Sequence, residues 1–358
     1  MRRSLTVSVA LAVPLSLAAV PAEAVSPAKA QVSRGAEQRL KTRITLTMPD
    51  RLIVGDQVAI SGRLDWQSPD GVWAPLAGKE LDLRFDKATG GDWHTIATPT
   101  TDANGRYSVP VTISANGAWN VDFANDPVNL PDDYYTYESS YAVTKVRQVA
   151  YRTSVSGFNA GPEPAARDRN VTAYGTVMRR MADGRWAPAT AFGNVVLQFS
   201  TDGKTWRNRD VQSMGGDGGF AFHVPAERDG YWRAVVPQSG RTEQSTGGAD
   251  YVNVKYRTHL HRYNASPEPV KKGAYITVKG LLYRYMPGGK PGPGANIHIY
   301  FRPKGSSTWT KKAITKTARN GWFSRKFKAS RDGTWLARYW GSGTYIGSNH
   351  PSDYVDVR

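Results

Sequence analysis

Apolar and polar residues alternate in short runs along most of the chain, with the two-residue period of a half-buried strand. Val58-Ala59-Ile60-Ser61-Gly62-Arg63-Leu64 is one such run, and Ile276-Thr277-Val278-Lys279-Gly280-Leu281-Leu282 is its counterpart further along. Leu81-Asp82-Leu83-Arg84-Phe85 has two counterparts, Val195-Val196-Leu197-Gln198-Phe199 and Ile297-His298-Ile299-Tyr300-Phe301. Turn formers stand between runs: Asp102-Ala103-Asn104-Gly105, Asp217-Gly218-Gly219 and Arg319-Asn320-Gly321. Asn and Gly tolerate the positive φ that such turns need. Each turn leads into a strand carrying Tyr107, Phe220 or Phe323, and a further strand starts at Gly117-Ala118-Trp119, Gly230-Tyr231-Trp232 or Gly333-Thr334-Trp335. No stretch sustains a 3.6-residue apolar period between caps, so helices are expected to be scarce.

These counterparts belong to one pattern told three times from about Lys41 onward. Trp93, Trp206 and Trp309 occupy one place in the repeat, and Trp119, Trp232 and Trp335 another; both series step by 113 and then 103 residues. Gly62 and Gly175, Trp73 and Trp186, and Pro75 and Pro188 keep the first step. At the second joint Tyr151-Arg152-Thr153 returns as Tyr256-Arg257-Thr258, and Phe158-Asn159-Ala160-Gly161-Pro162-Glu163-Pro164 as Tyr263-Asn264-Ala265-Ser266-Pro267-Glu268-Pro269. A period near a hundred residues is too long for a solenoid unit and fits a small domain repeated in tandem. Several short strands per repeat with frequent Gly, Pro and Asn-Gly turns predict an all-β chain of three antiparallel sandwiches, at 41–148, 149–255 and 256–358. Both Trp series are expected to anchor the cores between the sheets. The joints carry no Ser/Gly-rich or Pro-rich spacer, which predicts a stiff rod.

The first 40 residues read differently. Arg2 and Arg3 precede the apolar run Leu5–Val20, and Ala22-Glu23-Ala24 is a small-x-small cleavage site, so residues 1–24 are expected to be an export signal. Thr6 stands where a twin-arginine signal would carry a second apolar residue, which favours general secretion. Residues 25–40 are expected to form a loose leader, and no second apolar stretch follows to span a membrane. With no cysteine, neither disulfides nor a lipidated thiol can hold the protein together or to a membrane. Its C-terminal Asp353-Tyr354-Val355-Asp356-Val357-Arg358 reads as a last strand without a sorting tail, so release or non-covalent retention at the cell wall is the expectation.

The motifs resemble those of secreted bacterial proteins built from tandem immunoglobulin-like domains. The resemblance is carried by Val54-Gly55-Asp56-Gln57-Val58-Ala59-Ile60-Ser61-Gly62-Arg63-Leu64, Trp73-Ala74-Pro75-Leu76-Ala77-Gly78-Lys79 and Thr101-Asp102-Ala103-Asn104-Gly105-Arg106-Tyr107-Ser108. The last stretch is also similar to carboxypeptidase-regulatory-like modules, which implies a transthyretin-like sandwich as the other topology. Such families imply spacer, adhesion or ligand-presenting roles and hand over no catalytic residues. The third repeat departs from the pattern where Met286-Pro287-Gly288-Gly289-Lys290-Pro291-Gly292-Pro293-Gly294 replaces the Trp-Ala-Pro segment.

Catalytic signatures are thin. Gly-x-Ser-x-Gly, a phosphate loop and a dinucleotide fingerprint are all missing from the sequence, and a cysteine nucleophile is impossible. His259-x-His261 places two imidazoles on one strand face without an evident third metal ligand. Asp102-x-Asn104-Gly105 matches part of a calcium loop, but a tight turn explains it fully. Asp126, Asp132 and Asp133 with Tyr134, Tyr135 and Tyr137 read as a solvated acidic loop. No cofactor is expected.

Charge singles out the third repeat. Net charge is −4 over 41–148, +3 over 149–255 and +15 over 256–358. Alternation puts Trp322, Ser324, Lys326 and Lys328 on an outer face, with Phe323 turned inward. It likewise turns Trp335, Ala337 and Tyr339 inward and leaves Arg338 and Trp340 outside. Outward indoles among cations suit a flat or anionic polymer, rings stacking on sugar or base faces while Lys and Arg meet carboxylate or phosphate. Trp322, Lys326, Lys328, Arg338 and Trp340 are the candidate ligand residues, for an anionic cell-wall polymer or acidic polysaccharide. Nucleic acid would bind such a surface only non-specifically. The other expectation is structural: an acidic first repeat and a basic third could associate head to tail.

Overall fold

The structure, a computed structural model, describes residues 38–88, 91–129, 134–190, 193–349 and 352–358. The predicted export signal, most of the leader, and Asp132 and Asp133 lie outside the described residues. Among the described residues every regular element is a strand. Gln38–Leu40, expected to end the loose leader, forms a strand parallel to Tyr134–Tyr137, because Leu40 is apolar, buried and hydrogen-bonded to the Glu138 amide.

The middle repeat shows the plan. Strand Asn170–Arg180 pairs with Thr153–Gly161 on one side and with Gly219–Pro225 and Trp186–Pro188 on the other. The facing sheet runs Arg207–Ser213, Asn194–Ser200 and Gly230–Val236, closed by Ser245–Thr246 and Asp250–Val252. Short Ala165–Ala166 lies parallel to Val254–Lys255, tying the first edge to the last. This order, with consecutive strands crossing between a small and a larger sheet, is immunoglobulin-like and decides between the two topologies. The third repeat copies it around Tyr275–Tyr285 and Asn296–Pro303, and the first around Gln57–Gln67 and Asp82–Lys87.

Among the described residues three separate apolar cores result, one per repeat. Alternation decides their membership: Ile276, Val278 and Leu282 point in from one strand, and Ile297, Ile299 and Phe301 meet them from the facing sheet. The repeated glycine has a packing reason. Gly62, Gly175 and Gly280 lie directly across from Tyr107, Phe220 and Phe323, whose rings cover the space a side chain would need.

The tryptophans divide. Trp119, Trp232 and Trp335 are 1 %, 3 % and 6 % exposed and pack against Phe85, Phe199 and Phe301. The other series is not core: Trp93 is 40 % exposed, and Trp206 and Trp309 lie outside beneath Arg233 and Arg302, at 4.0 and 4.8 Å. These three stand just before edge strands, where an indole reaches the outer face of the sheet rather than the space between sheets.

The repeats follow one another directly. Val149–Ala150 pairs in parallel with Leu52–Ile53, which keeps these two residues with the first core. The next residue, Tyr151, already donates its amide to Arg241 of the second repeat, and Tyr256 does the same to Thr344 of the third. The Met286–Gly294 departure still supplies an edge pairing through Lys290–Pro291. At the turn after Thr101, the Asp102 Oδ1 accepts the Asn104 and Arg106 amides, both at 2.8 Å, as a tight turn requires. In the acidic loop Asp126 is ion-paired with Lys79.

Candidate functional site

The five candidate residues come from two strands of the third repeat, and those strands belong to different sheets. Trp322–Lys328 pairs with Tyr275–Tyr285, setting Trp322 opposite Leu281, Lys326 opposite Thr277 and Lys328 opposite Tyr275. Lys279 joins them on the same outward face. Phe323 is buried between, as the alternation requires. Lys326, Lys328 and Lys279 are exposed, and Trp322 is half-buried against its neighbours.

Arg338 and Trp340 are outward too, but on strand Gly333–Gly341, which pairs with Asn296–Pro303. Outward on this sheet points away from the lysine face, across the thickness of the sandwich. The predicted single site is therefore two faces. The second is built tightly: the Arg338 guanidinium sits 3.3 Å over the Trp340 ring, and His298 meets the indole edge-on at 6.4 Å. Burial, and then the charge of Lys311, hold His298 below its ordinary imidazole range. Trp340 nevertheless remains 54 % exposed.

Residues that alternation alone did not single out extend the lysine face toward the second joint. Tyr283 and Tyr285 are the next outward positions of Tyr275–Tyr285, with their rings 5.6 Å apart and edge to face. His259 and His261 stand beside them on the neighbouring strand, 4.5 Å apart, and His261 meets Tyr283 at 5.6 Å. The two imidazoles thus belong to an aromatic ladder. Among the described residues no group of three His, Cys, Asp or Glu side chains could hold a metal ion. The ladder ends in a cleft shared with Arg167 and Asp168 of the second repeat. The signals for it in the sequence are the Tyr-x-Tyr at 283–285 and the departure that begins at Met286.

No family model matches the chain, and no curated protein matches it. Among solved structures, a tetra-tandem repeat from the extending region of a large adhesion protein is 13 % identical, covering 89 % of this chain and 74 % of its own, with a TM-score of 0.29. The Escherichia coli adhesin FdeC is 13 % identical over 89 % of this chain and 96 % of its own, at 0.28. The FN1–FN3 domains of chicken CNTN1 are 11 % identical over 87 % and 97 %, at 0.27. Superpositions this loose say nothing of role, and the fold rests on the strand pairing described above. Among the described residues no helix is long and apolar enough to cross a membrane.

Proposed function

We propose that this chain is an exported, non-enzymatic binding or adhesion protein of three domains, whose third domain contacts an anionic or glycan surface polymer such as cell wall. The observation that carries the reading is the outer face of Tyr275–Tyr285 and Trp322–Lys328. It sets Lys279, Lys326 and Lys328 around Trp322 and Tyr275. Among the described residues the ion pairs of this repeat are Arg257–Asp168, Lys304–Asp332 and Arg358–Asp356, and they involve none of the three lysines. At the matching places the first repeat has Ser61, Pro110 and Thr112, and the second has Tyr174, His223 and Pro225. Uncommitted ammonium groups beside an indole meet both needs of an acidic polysaccharide, charge for carboxylate and a flat face for the ring.

The test is co-sedimentation of the mature protein with isolated cell walls at about 0.15 M salt, where long-range charge effects are screened. Trp322→Ala and Lys326→Gln/Lys328→Gln variants, checked for intact folding, run beside it. Co-sedimentation of the wild type alone supports the reading. Equal binding by all, released by modest added salt, would mean that only net charge was read.

The charge asymmetry between −4 over 41–148 and +15 over 256–358 favours a second reading, a self-assembling spacer with head-to-tail contacts. Its mark is particle size that grows with concentration at low salt and no wall binding.

A further inference from the structure

The second joint borders an open cleft of ≈ 500 Å³, lined by Tyr256, Tyr283, Tyr285 and Met286 from the third repeat and Arg167 and Asp168 from the second. That volume lies within the range of small-molecule sites, which pair apolar walls with a few placed polar groups. The walls here are aromatic. Tyr283 and Tyr285 stand edge to face, and His261 backs Tyr283 from the neighbouring strand. The turn after Tyr285 closes on them: Gly289 has φ 50° and its amide bonds the Met286 carbonyl at 2.7 Å. A Cβ at Gly289 would fall 1.8 Å from the Tyr283 hydroxyl oxygen, so only glycine lets this turn close against the phenol.

The two polar groups of the second repeat have different duties. Asp168 accepts from Arg257, whose Nε lies 2.9 Å from Oδ1 and 3.0 Å from Oδ2. That bond holds the Asp168 carboxyl below the usual carboxylate range, so the acid is committed to the joint. Arg167 makes no ion pair among the described residues; its guanidinium rests 5.1 Å from the centre of the Tyr256 ring. The cleft therefore offers flat aromatic walls, phenol hydroxyls and one uncommitted guanidinium. A guanidinium fork matches a carboxylate in two parallel hydrogen bonds. Tyrosine supplies an apolar face together with a polar edge.

From this arrangement we infer that the second joint is a binding site for an acidic pyranose, a uronate residue of a glycan, with its ring on the tyrosines and its carboxylate on Arg167. The inference rests on the glycan reading above for its class of ligand, but it uses residues outside the lysine face. The first joint lacks the device. There Val54 takes the place of Arg167, as the amide bonds to Ala150 and Lys255 show. Met178 and Arg180 take the places of Tyr283 and Tyr285, opposite the matching first strands.

Titration calorimetry of the full chain with tetragalacturonate, and with its methyl ester as the uncharged probe, tests this at about 0.15 M salt. The acid is expected to bind, the ester to bind about tenfold more weakly, and Arg167→Gln to weaken the acid by a similar factor. Tyr285→Ala should weaken both probes, while Lys204→Gln, at an exposed lysine of the second repeat outside both surfaces, should leave the affinity for the acid unchanged. Arg167 and Tyr285 are exposed, so both variants are expected to fold, which near-ultraviolet circular dichroism checks. No binding by the wild type, equal binding of ester and acid, or an unaffected Arg167→Gln overturns the inference. Loss of binding in Lys326→Gln/Lys328→Gln with retention in Arg167→Gln also overturns it, and leaves the lysine face as the site. Binding to the cleft without any wall co-sedimentation would instead retain the cleft and remove the lysine face.

Discussion

Arg257 reaches back across the second joint to Asp168 with its Nε 2.9 Å from Oδ1, and Arg152 reaches back across the first to Asp56, with Nη1 2.7 Å from Oδ1. The two arginines are the middle residues of the repeated Tyr-Arg-Thr. The two acids are not at matching places: the Asp56 amide bonds Ile53, and the residue that copies this bond is Arg169, to Ala166. The joint keeps an ion pair while its acid slips by one position.

Loss of that pair is expected to loosen the joint without unfolding the chain. Both partners are well exposed, so Asp168→Asn should change stability by no more than about 1 kcal/mol. The pH dependence follows from the lowered carboxyl of Asp168, whose main cause is the Arg257 hydrogen bond. A carboxyl with a native pKa below its unfolded value, about 3.9, contributes fully above that value. The contribution is lost only as pH falls through the lowered native value. Small-angle scattering of the wild type should thus show one maximum dimension from neutral pH down to about pH 4 and a broader distribution below it. Asp168→Asn should show the broader distribution at neutral pH already.

The two tryptophan series separate by stability. Trp232 is sealed between the sheets against Phe199, so Trp232→Ala should cost about 3–5 kcal/mol. Trp206 contributes an outer-face contact with Arg233, and Trp206→Ala should cost about 1 kcal/mol or less. Urea unfolding followed at the second domain decides this, and equal costs would contradict the placement.

Those two series also mark how far the sequence could be read. Both keep the same spacing, although one series lies in the core and Trp206 and Trp309 of the other lie outside, against Arg233 and Arg302. Parity along a strand is local, so the inward turn of Phe323, Trp335 and Tyr339 and the outward turn of Trp322 and Trp340 were legible. Which sheet a strand joins depends on partners far along the chain. Trp322 pairs into one sheet beside Leu281, while the strand of Trp340 pairs into the other beside Asn296–Pro303, and alternation carries no trace of that. The joint cleft was harder still. It takes Arg167 from one repeat and Tyr283 from the next, so neither repeat alone contains it.

The repeated glycines are expected to resist alanine in a set order. At Gly280 a Cβ would lie 2.8 Å from ring carbons of Phe323, and at Gly175 2.9 Å from one of Phe220, so the ring must shift. Overpacking of that kind costs about 1–3 kcal/mol. At Gly62 the nearest atom is the Thr45 carbonyl oxygen, at 1.9 Å, and it is also the acceptor for the Tyr107 hydroxyl at 2.7 Å. Backbone cannot rotate aside as a ring can, so Gly62→Ala should cost more than Gly280→Ala. Thermal unfolding of the two variants compares them directly.

His298 and Arg338 are cross-strand neighbours. By strand register the same place holds Asp82 and Asp122 in the first repeat, both within reach of Arg84, and Val196 and Val235 in the second. One position thus changes from acidic to apolar to basic while the strands around it stay the same. In the third repeat a protonated His298 would add a cation beside Arg338, and burial followed by Lys311 already lowers its pKa. An imidazole with a native pKa below its unfolded value, about 6.5, favours the fold above that value and loses the contribution as pH falls through the native one. Stability of the third domain should therefore drop mildly as pH falls below about 6.5, and His298→Gln should remove that drop. Lys311→Gln should raise the His298 pKa, read from its imidazole proton shifts by NMR titration. An unmoved titration in Lys311→Gln would place the cause in burial alone.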